Sequence, residues 1–300
     1  MRRFLRHGLP YLMFLLSGAL VLVQGCTRSL LQTYPAGENE IASVSEAFAR
    51  YQETSRKVCG CCLDAEADAA LSVSSWFRDH TGKLSGYLQA MEPSYIKFVA
   101  VNPLGQPLYI LVTSGEMFQS LNVFEKKVYA GSVHSEMYKK FVPPGFEPEF
   151  FYYWLTGRLR PGEPEIQAVM RARQQDAFWL QIKHAFSSTD SMVLFNPADQ
   201  VILRHVLRDE RGGHLVDMLY ADYQGLPGKE SQDTGTDPAA VPGSAIEKEL
   251  CRVPTRIVFS SNRDAEKIEI KLHSFLEKAD FTAADFYLEI PGSFEKLLVK

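Results

Sequence analysis

The sequence predicts a mainly β fold, an antiparallel meander accompanied by two helical segments. From Ala70 onward, apolar residues alternate with a period of two in short runs rich in β-branched and aromatic residues. Turn residues separate these runs, as at Thr81-Gly82, Asn102-Pro103 and Ser114-Gly115. No repeat of fixed period and no linker interrupts them, so we expect one β-rich domain from residue 40 to residue 300.

The first 25 residues have the features of a secretory signal peptide. Arg2, Arg3 and Arg6 precede an uncharged apolar run from Leu12 to Val23. This run is short for a membrane-spanning helix, which needs about 20 apolar residues. We therefore expect residues 1–25 to direct export and then to be removed.

The signal peptide ends at Leu22-Val23-Gln24-Gly25-Cys26, which resembles the lipobox of bacterial lipoproteins. The resemblance implies that the leader is cut before Cys26, that the thiol receives a diacylglyceryl group, and that the new amine is acylated, for example with palmitate. Two or more acyl chains give stable membrane attachment. Thr27, in place of Asp, favours the outer membrane, and residues 26–39 would form a lipidated tether. The alternative is a buried cysteine within an uncleaved anchor helix.

The composition excludes several classes of protein. With 46% hydrophobic and 23% charged residues, the chain is neither collagen-like nor wholly disordered. The net charge is −4; because three of the 32 basic residues lie in the leader, 29 basic and 36 acidic residues leave −7 afterwards. No basic excess is available for phosphate contacts, so no nucleic-acid partner is expected.

A helix is predicted ahead of the strands, from Glu40 to Arg56. Its apolar residues recur at spacings of three and four, namely Ile41, Val44, Phe48 and Tyr51. The cysteine cluster Cys59-Gly60-Cys61-Cys62 follows it. The first predicted strands are Leu71–Phe77, Lys83–Met91, Tyr95–Val101, Leu108–Thr113, Met117–Phe124 and Lys127–Ala130.

A second helical segment is predicted from Ser135 to Thr156, broken by Pro143-Pro144-Gly145. Its second half, Glu147–Thr156, places aromatic residues on one face. The stretch 225–249 is rich in Gly, Pro, Ser and Asp and is predicted to be a mobile loop. The later predicted strands are Phe178–His184, Ser191–Phe195, Gln200–Arg208, His214–Gln224, Arg252–Ser260 and Lys267–Leu272.

Five cysteines are present, and assigning Cys26 to lipid leaves four that can pair in an oxidising compartment: Cys59, Cys61, Cys62 and Cys251. Three pairings are possible. Because a bond between the adjacent Cys61 and Cys62 would be strained, we expect one cluster cysteine to pair with Cys251. The alternative is a zinc or redox site using Cys59 and Cys62.

No enzymatic constellation is present in the sequence. The chain lacks HExxH, GxSxG, GxxxxGK[ST] and a GxGxxG after a strand, and its histidines show no metal-like spacing. We therefore expect a protein that is not an enzyme and that needs no cofactor or metal.

The turn Asn102-Pro103-Leu104-Gly105 fits a type I turn with Leu104 near the tip of a hairpin. Ser114-Gly115-Glu116 follows in a second hairpin, and Trp154-Leu155-Thr156-Gly157 ends the aromatic helix. In this order of elements the chain resembles LolB-like outer-membrane lipoproteins of the LolA/LolB lipoprotein-carrier superfamily. The resemblance extends over most of the chain from about residue 40, although the cysteine cluster and the 225–249 loop depart from the family.

This resemblance implies a curved, unclosed antiparallel half-barrel whose helices form a lid over an apolar cavity for acyl chains. The strands Tyr95–Val101 and Leu108–Thr113 are apolar on both faces, which suits a sheet with one face lining a cavity. Leu104 corresponds to the apolar tip that enters the bilayer. The expected cavity residues are Ile96, Phe98, Ile110, Val112, Phe150 and Trp154.

The implied function is transfer without chemistry. A lipid-anchored, monomeric body facing the periplasm would accept lipoprotein acyl chains from a periplasmic carrier and insert them into the outer membrane. Two alternatives remain open. One is an envelope module that binds another lipid or lipopolysaccharide, and the other is a structural lipoprotein whose strands enclose a solid core.

Overall fold

A single 15-stranded sheet organises the chain. The computed structural model describes residues 33–75, 78–138, 148–160, 162, 165–173, 175–184, 190–209, 211–227, 250–261, 266–276 and 280–299. The predicted leader, Cys26, the proline-rich break at 143–145 and residues 228–249 of the predicted loop lie outside these ranges.

The strands and helices have the following bounds. The strands are β1 Thr33–Pro35, β2 Cys62–Ser75, β3 Arg78–Met91, β4 Tyr95–Val101, β5 Pro107–Ser114, β6 Met117–Asn122, β7 Lys127–Ser132, β8 Glu165–Ala172, β9 Phe178–Lys183, β10 Asp190–Asn196, β11 Val201–Arg208, β12 His214–Pro227, β13 Leu250–Ser261, β14 Glu266–His273 and β15 Glu295–Val299. The helices are α1 Glu38–Val58, α2 Pro148–Leu155 and a 3₁₀ turn at Ala283–Phe286.

The sheet consists of two antiparallel meanders joined side by side. One runs from β2 to β7 and the other from β8 to β14, and the antiparallel pair β14–β2 connects them. The sheet is curved and unclosed, as the resemblance implied, and β1 and β15 lie at its two ends. One pairing departs from the meander, because β15 returns to lie parallel to β7.

Both helices pack on the same face of the sheet, which we call the inner face. Phe48 of α1 packs edge-on against Phe195 at 5.2 Å between ring centroids, and Phe151 of α2 lies 6.5 Å from Phe259. Helix α1 begins after Gly37, whose N–H donates to Glu40 Oε2 at 2.9 Å. The predicted apolar stripe is correct at Val44, Phe48 and Tyr51, but Ile41 is exposed.

Strand β2 shows why the inner face is apolar and the outer face polar. Its odd-numbered residues from Leu63 to Leu71 face inward, while Asp64, Glu66 and Asp68 face outward. On the outer face Gln89 Nε2 donates to Asp64 Oδ2 at 3.0 Å. The strand was predicted only at Leu71–Phe77, because the alanine and acidic residues that precede Leu71 have low β propensity. Pairing with both β3 and β14 overrides that preference.

The C-terminal segment covers part of the outer face, which the sequence did not predict. The rings of Tyr95 and Phe286 lie 5.5 Å apart, and Lys97 Nζ donates to Asp285 O at 3.2 Å. The amide of Gln119 forms two hydrogen bonds with the backbone of Leu288, of 3.1 and 2.8 Å. These contacts seal the outer face of β4–β6 with apolar and polar groups.

Candidate acyl-chain binding face

Short side chains occupy the middle of the inner face where β2, β3 and β4 pair. Ala65, Ala67, Ala90 and Ala100 are almost fully buried there. Gly86 lies among them, and a Cβ atom at this position would overlap the carbonyl oxygen of Val99 on the neighbouring strand. The backbones of β3 and β4 can therefore approach closely only because residue 86 is glycine.

Beyond these small residues the inner face is only partly covered. Leu71 and Leu84 expose 43% and 44% of their surface. The register brings Leu84 beside Ala69, Ala69 beside Ile270, and Leu71 beside Ile268, all on the same face. We call these five residues of β14, β2 and β3 the apolar strip; it is an open, contiguous hydrophobic surface on the inner face.

Four of the six predicted cavity residues lie together. Ile96 and Phe98 of β4 point to the inner face, and Phe150 and Trp154 of α2 belong to the same hydrophobic cluster. Phe150 stacks on Trp154 with ring centroids 5.8 Å apart. Trp154 is buried, so α2 covers this part of the inner face as the resemblance implied.

The other two predicted cavity residues lie on the opposite face, which corrects that prediction. Val112 pairs with Lys97 and Ile110 pairs with Val99, and these positions alternate with Ile96 and Phe98. Val112 is buried on the outer face, where its neighbours Lys97 and Gln119 bond the C-terminal segment. Both faces of β4 and β5 are apolar because both are partly covered.

The Trp154–Gly157 motif ends α2 with a left-handed residue. Gly157 has φ +64°, and a Cβ atom there would lie 2.7 Å from Tyr223 Oη. Tyr51 Oη donates to Gly157 O at 2.8 Å, which ties α1 to the end of α2. Glycine is therefore required by both backbone conformation and packing.

Arg158 follows as a buried cation that sequence reasoning missed. Its Nε donates to Thr156 Oγ1 at 2.9 Å, its Nη2 donates to Tyr152 Oη, and Nη1 lies 3.8 Å from Glu92 Oε1. Burial raises the pKa of Tyr152, and the adjacent guanidinium opposes that rise. Tyr152 therefore stays a neutral phenol beside the guanidinium of Arg158.

A polar cavity of about 480 Å³ lies beside Arg158, between the end of α1 and the segment after α2. Arg56, Arg158, Arg160, Glu53 and Glu92 contribute its charged lining. Neither Phe150 nor Trp154 lines it. Its chemistry suits polar or charged groups rather than an acyl chain.

Leu104 lies at the tip of the β4–β5 turn with 84% of its surface exposed. Asn102 Oδ1 accepts the N–H groups of Leu104 and Gln106 at 2.9 and 3.0 Å. Gly105 has φ +79° and donates to Asn102 O at 2.9 Å. The side chain of Asn102 thus fixes the turn that presents the leucine.

Two disulfides use the four cysteines of the body. Cys59 at the end of α1 is joined to Cys251 at the start of β13, which is the predicted link between the cluster and Cys251. Contrary to the expectation from the sequence, Cys61 is joined to its neighbour Cys62. Once Cys59 pairs across the molecule, these two thiols are each other's remaining partners. Cys59 and Cys62 are each bonded to another cysteine, so they neither offer free thiols to zinc nor pair with each other as a redox CxxC motif would.

A buried polar group interrupts the inner face at β9–β11. Ser191 Oγ lies 2.7 Å from both His184 Nε2 and His205 Nε2. Burial, with a smaller contribution from the neighbouring His184, lowers the pKa of His205 to about 3. Within the described part of the chain, Nδ1 of His205 has no hydrogen-bond partner, so no third group orients this ring as a catalytic triad would require.

No helix in the described ranges is long and apolar enough to span a membrane. No group of three or more His, Cys, Asp or Glu side chains in the described ranges could hold a metal ion.

Comparison with known proteins gives structural neighbours but no match in sequence. No family model and no curated protein matches the chain. A putative outer membrane lipoprotein-sorting protein domain from Vibrio parahaemolyticus aligns with a TM-score of 0.52 and 12% identity, covering 81% of this chain and 96% of that one. A DUF1329 family protein from Desulfovibrio piger gives 0.53 and 11%, covering 82% and 97%.

A third structure, a LolA superfamily protein from Nitrosomonas europaea, aligns with a TM-score of 0.48 and 8% identity, covering 80% of this chain and 97% of that one. Identities this low establish architecture and not activity. With its single curved, unclosed and mainly antiparallel sheet, the chain has the LolA-like fold.

Proposed function

We propose that this protein binds acyl chains on the inner face of its sheet and transfers them to a membrane. The observation that carries the proposal is the apolar strip, in which Leu71 and Leu84 remain nearly half exposed on a face that the helices cover elsewhere. An acyl chain laid across β3, β2 and β14 would complete the cover that α1 and α2 begin.

The energetics favour such a ligand. Burying an acyl chain is worth about 0.8 kcal/mol per CH₂, so a long chain represents on the order of 10 kcal/mol. An acyl chain that crosses water at that cost needs a protein surface that covers it. Binding and release need no covalent step, which agrees with a site built from aliphatic and aromatic side chains.

The finer proposal is a LolB-like receptor. The body would be anchored to the outer membrane through lipid on Cys26, face the periplasm as a monomer, and accept lipoprotein acyl chains from a periplasmic carrier. Leu104 would enter the bilayer, because an isolated, highly exposed leucine on a well-ordered turn loses water at little conformational cost.

A second candidate, binding of another lipid or of lipopolysaccharide, is favoured by the polar cavity. Arg56, Arg158 and Arg160 line this cavity and could receive an anionic headgroup. Mass spectrometry of lipids that co-purify with the protein separates the two candidates. Recovered glycolipid supports the second one, and recovered lipoprotein supports the first.

Titration with a fluorescent fatty acid tests acyl-chain binding directly. Leu84→Glu places a charge in the apolar strip and should weaken binding by about tenfold or more, since tenfold corresponds to only about 1.4 kcal/mol. Leu219→Glu is the matched control, because Leu219 is 45% exposed and lies on the outer face of β12. Equal affinity of both variants for the fatty acid would contradict the proposal.

The receptor role is tested in cells by Leu104→Glu. The substitution should leave folding intact, because Leu104 makes its turn contacts through the backbone. Lipoproteins should then accumulate in the periplasm. Unchanged sorting to the outer membrane, measured by fractionation, would refute the role of Leu104.

A further inference from the structure

Phe124 is the most exposed large apolar side chain in the described part of the chain. It lies in the β6–β7 turn with 92% of its surface exposed, more than Leu104 at 84%. Nothing in the fold of the described residues requires an aromatic ring at this position. Water around a whole phenyl ring is unfavourable, so its placement calls for an explanation.

The β4–β5 and β6–β7 turns lie at the same end of the sheet. Strand β5 starts at the first turn and β6 ends at the second, and the two strands are antiparallel neighbours with Tyr109 opposite Asn122. Val123 N–H donates to Leu108 O at 3.0 Å, immediately beside both turns. Leu104 and Phe124 therefore project from adjacent loops at one edge.

The two turns are also built alike. Each begins with an asparagine whose Oδ1 accepts a backbone N–H from within the turn: Asn102 from Leu104, and Asn122 from Glu125 at 3.0 Å. In each turn the apolar residue stands two positions after the asparagine. Both side chains are consequently presented by ordered backbone rather than by a loose loop.

The apolar strip lies toward this same end of the sheet. Ser85 pairs with Val101, the last residue of β4, so Leu84 lies level with the β4–β5 turn. Lys126 and Lys127 follow Phe124, and Glu125 Oε2 lies 3.6 Å from Lys127 Nζ, which leaves one net positive charge at the turn. Lysines beside an apolar aromatic side chain are typical of segments that lie in the membrane interface.

We infer that Leu104 and Phe124 form a two-point contact with the lipid bilayer, in which the phenyl ring of Phe124 enters the headgroup–acyl boundary. The inference rests on the proposed function, because it assigns the surface by which the body meets its membrane. Two points on neighbouring turns restrict how this end of the sheet can lie against the bilayer. The apolar strip is then held near the bilayer, so an acyl chain can leave the strip without a long path through water.

Tryptophan fluorescence of the full chain in phosphatidylcholine vesicles tests this contact. Phe124→Trp should add emission that is lost when the phosphatidylcholine is replaced by its dibrominated form, whose bromines quench within the acyl region. Leu276→Trp is the matched control. Leu276 is 62% exposed, but its N–H donates to Asp64 O at the start of β2, so it lies at the opposite end of the sheet.

The emission of Leu276→Trp should be quenched by aqueous acrylamide and be unaffected by bromine. The same result for Phe124→Trp would overturn the inference. Shielding of Phe124→Trp from both quenchers, with a dimer in sedimentation, would overturn it in favour of self-association. Fatty-acid titration of the same vesicles reports separately on the proposed function, so retained acyl-chain binding with a water-exposed Phe124→Trp rejects this inference alone.

Discussion

At the scale of single residues, burial decides the protonation state of His205. Its ring is enclosed among the inner-face side chains of β10 and β12, and its only hydrogen bond in the described structure joins Nε2 to Ser191 Oγ. Burial disfavours the charged ring and lowers the pKa of His205 from 6.5 to about 3. Folding therefore keeps this histidine neutral at neutral and mildly acidic pH.

This neutrality predicts a loss of stability in mild acid. Between pH 6.5 and about pH 3 the unfolded chain binds a proton at His205 that the folded chain does not, so the free energy of unfolding falls as the pH falls. From pH 7 to pH 5 the single group accounts for about 2 kcal/mol. Urea unfolding at both pH values measures it.

His205→Gln keeps a hydrogen-bonding partner for Ser191 but does not titrate. The difference between its unfolding free energies at pH 7 and pH 5 should be smaller than the wild-type difference by about 2 kcal/mol. His184, whose pKa burial also lowers, contributes equally to both proteins. If both proteins lost the same stability, the assignment to His205 would be wrong.

At the scale of elements, close approach of β3 and β4 depends on Gly86. The carbonyl of Val99 occupies the space that a side chain at residue 86 would need. This contact holds the inner-face alanines beneath the helices. It also keeps β3, which carries Leu84 of the apolar strip, in register with β4.

Gly86→Ala should consequently lower the free energy of unfolding by about 1–3 kcal/mol, the usual cost of overpacking. Gly82→Ala is the matched control, since Gly82 is in the same strand and a Cβ atom there meets nothing within 4 Å. Its effect should stay within about 0.5 kcal/mol. Chemical denaturation of the two variants side by side makes the comparison, and similar stabilities would contradict the close approach.

Strands β4 to β7 of the first meander could be predicted because alternation and turn residues agree there. Their bounds are within about two residues of those expected from the sequence. Strands β1, β8 and β15 were not predicted. Strand β15 is short and pairs only with β7, so its conformation depends on a contact that local pattern does not encode.

The candidate site could be predicted only in part, for a related reason. Strands β4 and β5 are apolar on both sides, and a period of two cannot say which side faces inward. The C-terminal segment, which covers Val112 from outside, supplies the missing information through contacts more than 150 residues away in sequence. The exposed position of Phe124 could have been predicted, because the residue stands two positions after an asparagine in a turn.

At the scale of the whole molecule, the proposed anchor and the charge of the body act differently. Without its leader the chain carries −7, so the body should not be drawn to anionic lipid. Attachment would then depend on the acyl chains of Cys26, with Leu104 and Phe124 fixing the orientation.

This division of roles predicts a simple fractionation result. About 1 M salt, which shortens the Debye length to about 3 Å, should leave the protein in the membrane fraction. Cys26→Ala should move it to the soluble fraction, because two isolated side chains cannot replace the acyl chains of Cys26. Release of the wild-type protein by salt, detected by immunoblotting of the fractions, would show that charge and not lipid holds it.

The long disulfide also bears on how the protein is made. Cys59 and Cys251 are 192 residues apart, so the thiol of Cys59 leaves the ribosome long before its partner. Cys61 and Cys62 are close to it throughout that interval. A bond between those two neighbours is native, whereas a bond from Cys59 to either of them must be exchanged before Cys59 can join Cys251. In an oxidising compartment, correct pairing therefore requires either that Cys61 and Cys62 pair first or that thiol–disulfide exchange resolves the wrong bond.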